Sequence, residues 1–246
     1  MPASDELFPP LGFTLPKPAA GLRRRAADLL EALDARWPDA RCELVYRTPH
    51  ELLVATILSA QATDAGVNKA TPALFEAFPT PGAFAESTPA RIEPFIASIG
   101  LFRNKARSIH ESMTAIVERF GGQVPRTMNE LLTLRGVARK TANVVLGNAF
   151  GVQAGMPVDT HVMRLSLRFG LCTRELSAEK LEPILLSLFP RERWCDVSHR
   201  LIWHGRYECK ARGGTCETNE ICRRFHVMRD RSHTPAPPRA RAKPRA

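Results

Sequence analysis

The chain has 246 residues, 44% of them hydrophobic, and Lys plus Arg exceed Asp plus Glu by ten. That length can bury one large core or two small ones, and no stretch approaches the roughly 20 apolar residues of a membrane span. Six cysteines are too few for a disulfide-stapled secreted scaffold, and the start, MPASDELFPP, lacks the basic and apolar regions of a signal peptide. A cytoplasmic or nucleoid-associated protein without a membrane partner is expected, acting as a monomer.

Residues 1–20 hold five prolines and read as a disordered leader. From Leu22 the helical period dominates. Ala26, Leu29, Leu30 and Leu33 form one stripe, broken by Pro38. Leu52, Leu53, Ala55, Thr56, Ile57 and Ala60 form a helix too apolar for the surface. Asp64 is placed to cap the next helix, which runs to Phe78 and ends at Pro79, Pro81 and Gly82. Ile92, Phe95, Ile96 and Ile99 make a further stripe closed by Gly100. Lys105–Phe120 is amphipathic, with Ile109, Met113, Ile116 and Val117 inward and Gly121-Gly122 as its stop.

Thr127 opens a short helix, and the turn Arg135–Ala138 links it to a helix over 139–150. Further helices fall near 160–169, 177–189 and 194–207. No segment sustains a two-residue alternation, so the fold class is all-α. Cys209, Cys216 and Cys222 lie beyond the last of these helices, in a loop containing Gly213-Gly214, while Cys42 and Cys172 read as buried thiols. Residues 229–246 carry six basic residues and one acid. Such a disordered basic tail adds salt-sensitive affinity for phosphate backbones, or serves only to solubilise.

One segment concentrates chemistry: LLTLRGVARKTANVVLGNAF, residues 131–150, followed by VDTHV at 158–162. Arg139-Lys140 opens an apolar helix, where the macrodipole disfavours cations. That misfit is tolerable if a phosphate docks on the same helix end, and useful if the lysine serves as a neutral amine nucleophile. A helix N-terminus and partial burial would both favour the neutral amine. Asp159, lone in an uncharged stretch, could stabilise a cation or simply cap the helix at Thr160. Leu101 by its own pattern is a core residue at a helix start. Gln61, between Ala60 and Ala62, is harder to read as core, since a buried amide needs partners.

LRGVARKTANVVL, together with SAQATD (59–64), GLFRNKA (100–106), VDTHV (158–162) and HGRY (204–207), resembles the endonuclease III family of helix-hairpin-helix DNA glycosylases from about Leu22 to Phe225. The resemblance implies two helical domains with a DNA-binding cleft between them. One is a six-helix barrel over about 42–153 that carries the hairpin. The other joins 21–41 to 154–228 and holds an iron–sulfur loop. By the same resemblance Lys140 and Asp159 are catalytic, and Gln61 and Leu101 fill the gap left by a flipped base. Arg135, Gly136, Ala138, Arg139, Thr141 and His161 fall at DNA-binding positions, and Ser59 and Asp64 line the base pocket. The partner is double-stranded DNA carrying damaged bases or abasic sites.

Two departures stand out. The family's hairpin reads LPGVGRKTA; here Arg135 replaces the proline and Ala138 the second glycine. An alanine is costly there if the position needs positive φ, and Arg135 could add a phosphate contact. The family's cluster loop reads C-x6-C-x2-C-x5-C, whereas this chain has Cys209-x6-Cys216-x5-Cys222. Three thiolates could hold a [4Fe–4S] cluster with a fourth ligand from Cys195, Glu208, His226, Asp230 or outside; they could bind zinc with a histidine, or be remnants. The function implied is a bifunctional glycosylase and abasic-site lyase acting on oxidised pyrimidines. The alternatives are an abasic-site lyase with weak glycosylase activity and a non-catalytic DNA-binding module. The related adenine-specific glycosylases lack the lysine.

Overall fold

The computed structural model describes residues 4–227, and every regular element among them is helical. The basic tail, Asp230 included, lies outside the described residues. Along the chain come α1 (Ser4–Leu7), α2 (Ala20–Arg36), α3 (Pro49–Ser59), α4 (Asp64–Ala77), α5 (Pro81–Ala85), α6 (Pro89–Ile96), α7 (Phe102–Phe120), α8 (Met128–Leu131) and α9 (Arg139–Phe150). Then follow α10 (Thr160–Arg168), α11 (Ala178–Leu188), α12 (Trp194–Trp203), a π-helical turn (His204–Glu208) and α13 (Glu220–Phe225). Among the described residues no helix is long and apolar enough to cross a membrane.

The elements gather into two compact units. The first comprises the segment up to Thr14, then Arg41–Pro157 and Arg191–Cys195. Its hub is α3, buried from His50 to Leu58 because the sequence is apolar all round, with α4, α7 and α9 packed on it. Threonines start several of these helices by a repeated device. Thr48, Thr63, Thr80 and Thr127 each accept a hydrogen bond from the backbone N–H three residues on. At α4 the cap is thus Thr63 rather than Asp64, because the Thr63 hydroxyl already reaches the Gly66 N–H at 3.1 Å. Asp64 becomes the first helical residue, where its charge suits the dipole. The proline-rich start lies on this unit, with the Leu7 carbonyl accepting from the Gln153 N–H at 2.7 Å.

Helix α7 begins at Phe102, so Lys105 falls in its first turn. Its buried face is rotated from the one expected: Val117 is 38% exposed, while Ser108 and Ser112 point inward. The hairpin turn causes this. Ser112 Oγ donates to the Arg135 carbonyl at 2.6 Å, and a Cβ on Gly136 would stand 3.0 Å from Ser108 Cβ.

The second unit comprises Leu15–Ala40, Val158–Pro190 and the chain from Asp196 on. The stripe Ala26, Leu29, Leu30 and Leu33 of α2 is buried, and α2 packs against α11 and α13. Helix α13 goes beyond the sequence reading: Asn219 caps it through the Cys222 N–H at 2.9 Å, so Cys222 lies on a helix and not in an open loop. Cys42 and Cys172 are only half-buried, each sitting in a loop rather than on a packed helix face.

Candidate active site and metal centre

In the first unit α8, the turn and α9 form the hairpin. Gly136 takes φ +78°, a conformation L-residues avoid, and lies against Ser108 and Ile57, so only glycine fits there. Ala138, in contrast, has φ −90° and ψ 169°, ordinary extended backbone. The substitution of alanine at this position therefore carries no strain. Ala138 is the N-cap of α9 and makes no side-chain cap hydrogen bond, and a helix N-terminus of this kind suits an anion. Lys140 follows in that first turn and is exposed, not partly buried. Arg139 lies with its guanidinium 5.3 Å from the centroid of the Phe13 ring. Thr141 is half-buried. Arg135 pairs with Glu111 at 3.0 Å, which occupies the guanidinium proposed for a phosphate.

Gln61 and Leu101 share a property. Among the described residues they are the non-glycine residues with positive φ, at 55° and 60°. Both are exposed, Leu101 by 61%. Left-handed backbone at non-glycine residues is uncommon and clusters at ligand clamps. Ser59 spends its hydroxyl proton on the Thr56 carbonyl at 2.9 Å, and Asp64 is half-buried at the start of α4. Asn143 escaped the sequence reading. It is 2% exposed in the middle of α9, and its Nδ2 donates to the Met156 carbonyl at 3.3 Å. An amide inside an apolar helix was the signal, since it needs a partner.

In the second unit Asp159 caps α10, its Oδ1 accepting from the Val162 N–H at 2.8 Å. His161 is half-buried and its Nδ1 lies 3.3 Å from Arg164 Nη2. Arg164 also donates to the carbonyls of Gly205 at 2.8 Å and Cys209 at 3.0 Å. A Cβ on Gly205 would stand 3.0 Å from His161 Cβ, so the glycine of HGRY lets the π turn approach α10.

Cys209, Cys216 and Cys222 bring their sulfurs within 4.8 Å of one another, all buried, and among the described residues no fourth ligand joins the group. Arg168, one turn after Arg164, is 4% exposed and donates to Cys209 Sγ at 3.3 Å and to the Lys210 carbonyl at 2.9 Å. Thiol hydrogen bonds from Cys216 and Cys222, with the guanidinium beside them, hold the Cys209 thiol well below its ordinary range. Cys209 in turn pushes Cys216 and Cys222 up. His204 is fully buried, its Nδ1 3.2 Å from Trp37 Nε1 and its Nε2 3.5 Å from Cys222 Sγ. The Trp37 indole N–H donates to Nδ1, and the Glu208 carboxylate lies 3.4 Å from the same nitrogen. Glu208 is held by Arg36 and Asn219. Cys195 belongs to the first unit, against Gly147.

Residues 54–191 match the model of the HhH-GPD superfamily of base excision DNA repair proteins. Endonuclease III of Synechocystis sp. is 50% identical over 206 residues, 82% of this chain and 94% of that one. Two solved structures match closely. A non-covalent endonuclease III–DNA complex has a TM-score of 0.80 at 43% identity, covering 83% of this chain and 95% of its own. A trapped endonuclease III–DNA covalent intermediate gives 0.78 at 44% identity, covering 81% and 93%. The chain belongs to the endonuclease III family of helix-hairpin-helix base excision repair proteins.

Proposed function

We propose that this chain is a bifunctional DNA glycosylase and abasic-site lyase that removes oxidised pyrimidines from duplex DNA. Lys140 carries the reading: an exposed lysine in the first turn of α9, behind a cap without a side-chain acceptor, in a member of this family. A phosphate at the N-terminus of α9 would hold the DNA backbone beside the amine. The neutral Lys140 amine attacks the anomeric carbon of the flipped nucleotide, and the C1′–N bond breaks as the base leaves with a proton. Loss of the amine proton and ring opening yield an imine. Removal of a C2′ proton then expels the 3′ phosphate by β-elimination. Asp159 keeps a carboxylate oxygen beyond the one bonded to Val162, which can stabilise the sugar cation and relay a proton.

The cysteine trio fits a metal group. Buried thiols with the Arg168 guanidinium donating to Cys209 form a site whose negative charge is compensated. We assign it a [4Fe–4S] cluster held by Cys209, Cys216 and Cys222, with the fourth ligand from outside these residues. Bound there, the cluster would staple the 209–222 loop.

Borohydride trapping on duplexes carrying an oxidised pyrimidine or an abasic site tests the reading, with Lys140→Ala alongside. A covalent adduct on both substrates, absent in the variant, is the expected outcome. An adduct on the abasic site alone reduces the protein to a lyase. Intact DNA binding with no adduct on either substrate leaves a binding module.

A further inference from the structure

Gln61 and Leu101 are forty positions apart, yet one buried residue bonds to the backbone at both, by its side chain next to Gln61 and by its own N–H at Leu101. The backbone N–H of Lys105 donates to the Leu101 carbonyl at 3.0 Å. Its ammonium donates to the carbonyls of Leu58 at 2.9 Å and Ala60 at 2.6 Å, the latter joined directly to Gln61. Lys105 is 5% exposed, so a charged group has left water to make these bonds. Burial pushes its ammonium below the usual lysine range. The carbonyls it serves are the orphan acceptors at the C-terminus of α3, where a cation suits the dipole. The same lysine thus closes α3 just before Gln61 and continues α7 just after Leu101, the two places where the backbone turns left-handed.

We propose that Lys105 is a positioning residue that locks Gln61 and Leu101 into a single two-pronged wedge, acting through their backbones and not through any contact with the reacting sugar. The proposal rests on the reading of Gln61 and Leu101 as the residues that fill the space of a flipped base. A wedge that must hold apart a stack works only if its prongs keep their spacing, and a loose pair would let the base return. Extrusion of a paired, stacked base depends on the wedge most; an abasic site, with no base to unstack, depends on it least.

The test compares Lys105→Met with the unaltered protein on two duplexes, using variants whose thermal melting shows a folded chain. Single-turnover excision of the oxidised pyrimidine is expected to fall about ten- to hundredfold. Adduct formation at a preformed abasic site is expected to fall far less. 2-Aminopurine opposite the lesion should lose most of its fluorescence rise on binding, and Lys105→Arg should restore part of both signals. If Lys105 acts through the wedge, Lys105→Met adds little to the combined Gln61→Ala and Leu101→Ala variant. Equal losses on both duplexes, or full additivity in the triple variant, would overturn the proposal. A combined Gln61→Ala and Leu101→Ala variant that excises normally would instead sink the wedge reading, and the role of Lys105 with it.

Discussion

Asp159 caps α10, one oxygen lying 2.8 Å from the Val162 N–H, and the proposed mechanism gives the same carboxylate a second duty, the negative charge that faces a sugar cation. Substitution separates them. Asparagine caps a helix as well as aspartate does but brings no charge. Asp159→Asn should therefore melt within about 0.5 kcal/mol of the unaltered protein while single-turnover excision falls about 10²- to 10⁴-fold. Asp159→Ala should lose similar activity and about 1 kcal/mol of stability besides. An asparagine variant with full turnover would leave the carboxylate as a cap alone. The cap was legible in VDTHV. The partners of Arg164 and Arg168 were not, because an arginine at i and i+4 reads as a solvated face until the Cys209 loop is laid over it.

At the scale of elements, the hairpin separates its two small residues. Gly136 has both positive φ and Ser108 at its back, so Gly136→Ala should cost about 1–3 kcal/mol in thermal or denaturant unfolding and displace the turn from α7. Ala138 already sits at φ −90°, so Ala138→Gly should stabilise by no more than about 1 kcal/mol, the ordinary preference for glycine over alanine at an N-cap. A larger gain would show that the turn relaxes into positive φ once glycine permits it. Helix identities were legible because apolar residues recurred at helical spacing in α2, α3, α6 and α7. Two starts escaped that reading: Thr-Pro at 48–49 and 80–81 pairs a cap with a residue preset for the first helical turn, whereas Pro81 reads by pattern as the end of the preceding helix. The inward face of α7 was not legible, since Ser108 and Ser112 become core only when the hairpin turn covers them.

For the whole molecule, the cysteine trio is the point where distant parts of one unit converge. Arg168 from α10 and His204 from the π turn reach sulfurs on the loop and α13, and Trp37 beyond α2 holds His204. Isolated protein should be brown and contain iron and sulfide; stoichiometric zinc in a colourless protein would overturn the cluster. Stripping the metal should cost several kcal/mol and lower Tm on the order of 10 °C, since metal and fold are bound in one equilibrium. The sequence by itself determined most of the helices, the order of the motifs, the lysine at the start of α9 and the trio of thiols, because each depends on residue type and short spacing. Only the tertiary structure decided that Ala138 is unstrained, that Lys140 stands exposed, and that Gln61 and Leu101 share an unusual backbone. It also decided that Lys105 bonds to the Ala60 and Leu101 carbonyls beside them. Those facts depend on φ, burial and contacts between residues tens of positions apart, and these exist only once the chain has packed.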